Sequence, residues 1–141
     1  MANIPYYQQK DIENIKKLRE MMKALPPFCT EFFRGIEPRT STRTRIAYAY
    51  DLSVFFDFLK KENPVFAKME RMDFKLEQLD QITVTDLEEY MEYLKYRFNE
   101  QNHEIMNQER GIMRKISSLK SFYNYFFRTE KLTTNPAALV R

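Results

Sequence analysis

Apolar side chains recur at steps of three and four residues along most of this chain, which is the spacing of one face of an α-helix. The clearest example is the stretch from Glu109 to Arg128. At about 100° per residue, its apolar positions fall in one narrow sector of a helical wheel; they are Ile112, Ile116, Leu119, Tyr123 and Phe126. We therefore predict a helix over residues 109–128 with this stripe facing a core.

The same spacing predicts four further helices, which cover residues 10–24, about 27–34, 41–61 and 83–98. Their core-facing positions are Ile12, Ile15, Leu18 and Met22 in the first; Phe28, Phe32 and Phe33 in the second; Tyr48, Leu52, Phe55 and Leu59 in the third; and Leu87, Tyr90, Met91, Leu94 and Phe98 in the fourth. Residues 64–81 and 101–107 lack a sustained period. We predict loops there, the first with room for a short helical turn.

Residues that begin or end helices stand at the boundaries of these segments. Pro26 and Pro27 end the first helix, because a proline disfavours the α conformation in the residue before it. Thr40 or Ser41 is the expected N-cap of the third helix. The sequence T-V-T-D from Thr83 has the form of a capping box with aspartate in the usual place of glutamate, which predicts the start of the fourth.

Basic and hydroxyl side chains gather on two of the predicted helices. On the 109–128 helix, the side away from the apolar stripe carries Arg110, Arg114, Ser118, Ser121 and Tyr125, with Arg128 beside them. The start of the 41–61 helix carries Arg39, Arg43 and Arg45 at an end where backbone N–H groups and the helix dipole attract anions. A polyanion meets no carboxylate on such faces, so they suit a nucleic-acid surface. Most basic helix faces are merely solvated, and that explanation stays open for these two.

The net charge of +3 hides an uneven distribution. Residues 110–131 contain six basic residues and one acidic residue, whereas residues 62–104 contain eleven acidic and five basic ones. This asymmetry predicts one surface that attracts a polyanion and another that faces away from it or meets a different partner.

Composition narrows the class of protein. With 141 residues, only two glycines, 43% apolar and 30% charged residues, the chain fits one all-helical globular domain. It has no membrane-length apolar run and no secretory signal, so we expect a cytoplasmic protein that does not contact membranes. A lone Cys29 and a lone His103 predict neither a disulfide nor a zinc cluster, and no residue pattern indicates a cofactor.

Four segments occur in the order and spacing of a known family. They read STRTRIAYAYDLSVFFDFL (41–59), ITVTDLEEYMEYL (82–94), RKISSLKSFYNYFF (114–127) and NPAALV (135–140). Together they resemble the N-terminal core-binding, SAM-like domain of tyrosine recombinases, the phage-integrase and Xer-type enzymes. Two positions depart from the family pattern: Arg45 replaces an apolar residue that packs inward, and Gly111 stands where threonine is common.

The resemblance implies an architecture and a task. The fold would be all-α, a small orthogonal bundle of four to five helices in two antiparallel pairs, with an extra N-terminal helix. Residues 1–25 would be that helical extension, and residues 26–141 the core-binding domain, which would end at the linker to an absent catalytic domain. Such a domain closes over one side of duplex DNA at a recombination site, during DNA integration or recombination, while the catalytic domain closes over the other side.

The resemblance also implies which helices lie on the DNA. They are the ones matching residues 41–61 and 109–128, placed on the major groove and its flanking phosphates. The residues expected to contact DNA are Arg39, Ser41, Arg43, Thr44, Arg110, Arg114, Lys115, Ser118, Ser121 and Arg128. We expect the arginines and Lys115 to neutralise phosphates and the hydroxyl residues to approach base edges.

Strand cleavage is not expected of this chain alone. In the family, the tyrosine nucleophile and the groups that stabilise the phosphate belong to the C-terminal domain. The His-x-x-Arg pattern of that domain is absent, since His103 is followed at plus three by Met106. We therefore predict a non-catalytic DNA-binding piece whose parent protein is a tyrosine recombinase.

The remaining expectations concern binding partners and alternative functions. The partners are duplex DNA, the catalytic domain of the parent protein and further copies in a tetramer formed only on DNA. The apolar arm at residues 10–34 either contacts a neighbouring protomer or packs on its own domain. A helical protein–protein interaction module with no nucleic-acid role is the rival from another class. A helix-turn-helix repressor fits less well, because its two helices need a turn of three or four residues.

Overall fold

The computed structural model describes residues 4–99 and 101–140. Its α-helices are α1 (Tyr6–Lys23), α2 (Cys29–Ile36), α3 (Thr42–Glu62), the single turn α4 (Pro64–Ala67), α5 (Val84–Lys95) and α6 (Glu109–Arg128). Short 3₁₀ turns lie between and after these helices, at Glu37–Arg39, Arg71–Asp73, Leu76–Gln81 and Pro136–Leu139. The predicted all-α class is confirmed. Residues 1–3, Glu100 and Arg141, which the domain boundaries predicted above include, lie outside the described residues.

The helix starts follow the capping residues in the sequence. Ser41 is the N-cap of α3, and its hydroxyl accepts a hydrogen bond from the Thr44 N–H at 3.1 Å. At α5, the Thr83 hydroxyl accepts from the Asp86 N–H at 3.1 Å, while the Asp86 carboxylate accepts from the Thr83 N–H at 2.9 Å. The predicted capping box is therefore confirmed, with aspartate in the place of glutamate.

Helix α3 is the centre of the bundle, because α1, α4, α5 and α6 all pack against it. Its buried surface is accordingly wider than the predicted stripe and includes Ala49, Val54, Phe56 and Phe58. Helix α6 runs antiparallel to α3, since Arg114 and Ser118 contact Asp51 whereas Ser121, further along α6, contacts the earlier Tyr48. None of the described helices is both long and apolar enough to cross a membrane.

The core is rich in aromatic rings. Phe32, Phe56, Phe122 and Phe126 are all fully buried. The Phe122 ring centroid lies 5.3 Å from that of Phe32 and 5.2 Å from that of Phe126, both in edge-to-face geometry. These rings join α2, α3 and α6 into one cluster. Cys29 is buried beside this cluster, and burial raises the pKa of its thiol, so the group stays protonated and serves as packing.

Helix α1 packs on its own domain, along α3. It begins earlier than predicted, and the expected apolar position Ile12 is 43% exposed. The polar Asn14 is buried in its place: its amide donates to the Thr42 hydroxyl at 3.2 Å, and that hydroxyl donates to Asp11 at 2.8 Å. The predicted placement of Ile12 is wrong because this part of α1 meets α3 through the hydrogen bonds of Asn14 and Asp11 with Thr42. The domain boundary at residue 25 stays a prediction.

Helix α5 ends at Lys95, three residues before the predicted end. The chain turns extended at Tyr96 and forms β1 (Arg97–Phe98), which pairs antiparallel with β2 (Glu104–Ile105). The Arg97 guanidinium is buried and donates to the Asn107 side chain, a contact that stabilises the extended chain after α5. Phe98, predicted to be buried on the helix, is therefore 44% exposed.

Gly35 lies where α2 packs closely against α6. A Cβ atom at this position would lie 2.2 Å from Cε1 of Tyr125, so any side chain here would displace that ring. Tyr125 itself packs edge-to-face on Phe32, with centroids 5.9 Å apart. It is half-buried between helices, and the sequence analysis had placed it on the open polar face.

Two buried tyrosines differ in whether their hydroxyl is hydrogen-bonded, so we expect opposite effects when each is replaced by phenylalanine. The Tyr123 hydroxyl donates to the Leu79 carbonyl at 3.1 Å, whereas the Tyr90 hydroxyl has no hydrogen-bond partner among the described residues. We expect Tyr123→Phe to lower the free energy of unfolding by about 1 kcal/mol. Tyr90→Phe should leave it unchanged or raise it, since it removes a buried, unpaired polar group. Urea unfolding of both variants measures this, and a larger loss for Tyr90→Phe would contradict it.

Asp80 ties the segment after α6 to the 3₁₀ turn Leu76–Gln81. Its Oδ1 accepts hydrogen bonds from the Thr133 N–H and the Thr134 N–H, each at 2.9 Å, and from the Thr134 hydroxyl at 2.8 Å. Burial by itself would raise the pKa of Asp80, but the hydrogen bonds from Thr134 and Thr133 outweigh it and hold the pKa below its usual value.

Because the pKa of Asp80 is lowered in the folded protein, its contribution to the free energy of unfolding falls at low pH. Its contribution is present above the carboxyl pKa of the unfolded chain, about 3.9, and is lost as the pH falls through the lower folded value. We expect the difference in unfolding free energy between wild type and Asp80→Asn to shrink below about pH 4. Urea unfolding between pH 3 and 6 tests this, and a difference that grew on acidification would refute it.

Candidate nucleic-acid interface

A groove of about 240 Å³ runs between α3 and α6. One wall is lined by Thr44, Ala47, Tyr48 and Asp51 of α3, and the other by Arg114, Ser117, Ser118 and Ser121 of α6. We call this the α3–α6 groove. The Tyr48 hydroxyl donates across it to the Ser121 hydroxyl at 3.3 Å. The two helices predicted to share a surface therefore do so, and hydroxyl groups line that surface.

Five exposed arginines lie on α3 and α6 or, in the case of Arg39, in the turn before α3, and we call them the rim arginines. They are Arg39, Arg43, Arg110, Arg114 and Arg128. Arg43 lies one turn before Ala47 on the same face of α3, about 12 Å along the axis from Asp51 at 1.5 Å per residue. Arg110 lies one turn before Arg114, and Arg128 follows Ser121 by two turns on the same face. Arg114 thus lines the groove itself, and Arg43 directly precedes Thr44, the first α3 residue that lines it.

The hydroxyls at the start of α3 are engaged with each other. The Ser41 side chain accepts from the Thr44 N–H and donates to the Thr44 hydroxyl at 3.0 Å. Ser41 therefore acts as an N-cap, the simplest explanation for a serine at this position. Thr44 also lines the α3–α6 groove. Its hydroxyl is thus held in place at the end of the groove next to Arg43.

Two of the predicted DNA-contacting residues are buried. Lys115 is 3% exposed and Ser118 is 6% exposed, so neither presents its side chain at the surface as expected. The buried sector of α6 extends past the predicted stripe on the Ser118 side, because α3 packs there. The Ser118 hydroxyl donates to Asp51 Oδ2 at 2.6 Å, and the Lys115 ammonium lies 5.1 Å from the centre of the Tyr50 ring.

Asp51 is the residue that sequence reasoning missed. It is 3% exposed, and Arg114 Nη2 donates to its Oδ1 at 3.0 Å. The basic face of α6 therefore does face an acid, supplied by the neighbouring helix. A signal was present in the sequence: Asp51 stands beside Leu52 between Tyr48 and Phe55, in the stripe that otherwise carries apolar side chains. An acid in such a stripe indicates a buried partner.

Arg45 also departs from the expected anion site. It is 8% exposed and lies outside the α3–α6 groove, beside Leu18 and Phe33, where its Nη1 donates to the Glu37 carbonyl at 3.2 Å. Its Nε has no partner among the described residues. The Glu37 carbonyl and the surrounding apolar side chains hold this arginine in the position where the family pattern has an apolar residue. Arg45 is therefore separated from the rim arginines.

Comparison with known proteins identifies the family to which the chain is similar. Residues 30–130 match the family described as phage integrase, N-terminal SAM-like domain. The tyrosine recombinase XerC of Caldanaerobacter subterraneus subsp. tengcongensis is 36% identical over 130 residues, which cover 86% of this chain and 35% of that protein. The tyrosine recombinase XerC of Chlorobaculum tepidum is 30% identical over 134 residues, covering 95% of this chain and 33% of that protein.

In a third relative, too, the chain matches only about a third of the protein's length. The tyrosine recombinase XerC of Anoxybacillus flavithermus is 30% identical over 104 residues, covering 74% of this chain and 28% of that protein. The chain thus spans about a third of the length of the curated relatives it matches. No solved structure matches it. The match to most of the helical bundle, including both walls of the α3–α6 groove, shows that the chain belongs to the phage-integrase N-terminal SAM-like family of tyrosine recombinases.

Proposed function

We propose that this chain is the DNA-binding domain of a site-specific tyrosine recombinase. It grips one side of duplex DNA at the recombination site, and the α3–α6 groove is the surface that meets the duplex. The observation that carries the proposal is the groove itself, where hydroxyls from two helices far apart in sequence line one face together with Arg114. Membership of the integrase family supports it.

Phosphate contacts supply most of the affinity in this proposal. The five rim arginines neutralise phosphates, while Thr44 and Ser121 approach base edges and give limited specificity. Lys115 and Ser118 are left out of the contacting set because their side chains are buried. Ser117 takes a place in that set, since it is exposed and lines the groove.

The chain by itself does not cleave DNA in this proposal. Its relatives are tyrosine recombinases about three times as long. We place the catalytic residues in a C-terminal domain of the parent protein. That domain closes over the opposite side of the duplex and adds affinity through the linkage. We further propose that the parent works in the cytoplasm as a tetramer that forms only on DNA. It needs no cofactor in this domain.

Salt dependence of binding tests the proposal. Fluorescence anisotropy with a 30-base-pair duplex of mixed sequence is measured between 50 and 200 mM NaCl. Five phosphate contacts predict a slope of log affinity against log salt of about −4.5, at roughly −0.9 per contact. No binding at 50 mM, or a slope near zero, would count against a DNA-binding role. That result would favour the helical protein–protein interaction module, whose candidate surface is the Met- and Glu-lined groove between α5 and α6.

A further inference from the structure

Asp51 is a buried carboxylate in the middle of the proposed DNA-binding surface. A buried carboxylate is unfavourable unless donors satisfy it. Three groups of α6 do so: the Ser118 hydroxyl at 2.6 Å, the Arg114 guanidinium at 3.0 Å and the Lys115 ammonium at 3.7 Å. The carboxylate therefore connects the two walls of the groove at one point.

The two cations play different parts around this carboxylate. The Lys115 side chain is 2% exposed, whereas that of Arg114 is 57% exposed. Burial lowers the pKa of Lys115, while Asp51 opposes this effect. Lys115 is thus the internal counter-ion of Asp51. Arg114 is a second positive charge beside this single carboxylate, and its side chain is exposed to solvent.

Arg114 keeps most of its donors for a ligand. A guanidinium has five N–H donors, and one nitrogen, Nη2, is engaged with Asp51. We infer that Asp51 is a positioning residue, which holds the Arg114 guanidinium across the α3–α6 groove in the pose that contacts DNA. The inference rests on the proposed function and adds to it the residue that fixes the geometry of the central rim arginine.

The physical reason is preorganisation. A free arginine side chain on a helix surface must give up its rotamer freedom when it binds a phosphate or a base edge. Asp51 is held rigidly by Ser118 and Lys115, so the ordering of Arg114 is already complete in the free protein. A simple charge count makes the opposite prediction, since an acid beside Arg114 would weaken DNA binding.

The test removes the anchor without changing the net charge. The double variant Asp51→Asn, Lys115→Met deletes one negative and one positive charge, so no buried charge is left unpaired and the field around the chain is preserved. We expect it to bind the 30-base-pair duplex about fivefold more weakly than wild type, with a salt slope smaller by about 0.9. Binding equal to or tighter than that of wild type overturns the inference.

A cycle with Arg114→Ala shows whether Asp51 acts through Arg114. In the wild-type background this change should weaken binding about tenfold. In the double-variant background it should weaken binding by less than about twofold, because the positioned contact is already lost. The same tenfold loss in both backgrounds overturns the positioning role and leaves the DNA-binding proposal intact. No loss in the wild-type background removes the DNA-binding role of Arg114, and the inference with it.

A second variant decides the matter if the double variant does not fold, as judged by its thermal unfolding. Arg114→Lys replaces an exposed side chain and keeps the charge. One ammonium cannot span from Asp51 to DNA as the forked guanidinium does, so we expect at least about a fivefold loss. Affinity within twofold of wild type would show that only the charge matters and would overturn the positioning role.

Discussion

Replacing Arg43 and Arg114 together by alanine is expected to weaken binding to duplex DNA by about 30-fold at 50 mM salt. The central Arg114 accounts for about tenfold of this loss and Arg43 for about threefold, together about 2 kcal/mol at 1.4 kcal/mol per factor of ten. The salt slope should also fall by about 1.8, because two counterion-releasing contacts disappear. Arg43 is exposed at the end of one wall of the groove, and Arg114 stands on the other wall, so the pair samples both helices.

The measurement is anisotropy with the same mixed-sequence duplex at several salt concentrations. The matched control is Lys16→Ala, Lys17→Ala, which removes two positive charges from exposed positions of α1 outside the groove. Its affinity should change by less than about threefold, since it loses only long-range attraction. Equal losses in the two double variants would show that net charge, and not the groove, determines binding.

The largest expected effect on stability comes from Phe122→Ala. Phe122 is fully buried and its ring contacts five others, those of Phe28, Phe32, Phe56, Tyr123 and Phe126. Removing it deletes the ring that joins α2, α3 and α6 and leaves a cavity that rigid neighbours cannot fill. We expect a loss of about 3–5 kcal/mol in the free energy of unfolding, a large part of the roughly 5–15 kcal/mol typical of a domain.

Urea unfolding followed by circular dichroism measures this loss. Phe122→Leu is the control, because leucine fills much of the same volume and should cost about 1 kcal/mol. Phe127, on the same helix but 45% exposed, gives a second comparison: Phe127→Ala should change stability by less than about 1 kcal/mol. Similar losses at positions 122 and 127 would contradict the described packing of α6.

Local features of the fold could be predicted from the sequence because they depend on neighbouring residues. The limits of α6 match the predicted stretch, and Ser41 and Thr83 begin their helices as expected. Capping and apolar periodicity act within one or two turns, so the order of residues is sufficient information. The end of α5 was predicted wrongly because it depends on Arg97 reaching Asn107, ten residues further along the chain.

The candidate site was only partly predictable. Charge and periodicity identified Arg43, Arg110, Arg114 and Ser121, all of which lie on or beside the groove. Lys115 was wrongly assigned to the surface. A helical wheel shows the direction of the apolar stripe, but it does not show how much of the helix surface on either side of that stripe a neighbouring helix covers. Whether the rim arginines contact DNA stays a prediction until binding is measured.

By itself, the sequence determined the helices, their caps and the two basic segments, since each of these follows from spacing and from residues close together in the chain. Only the tertiary structure decided that Asp51 enters the basic face of α6, that Lys115 is buried against it and that Arg45 points away from the groove. These features depend on the antiparallel packing of α3 on α6. That packing brings together residues more than sixty positions apart, and no local pattern records it.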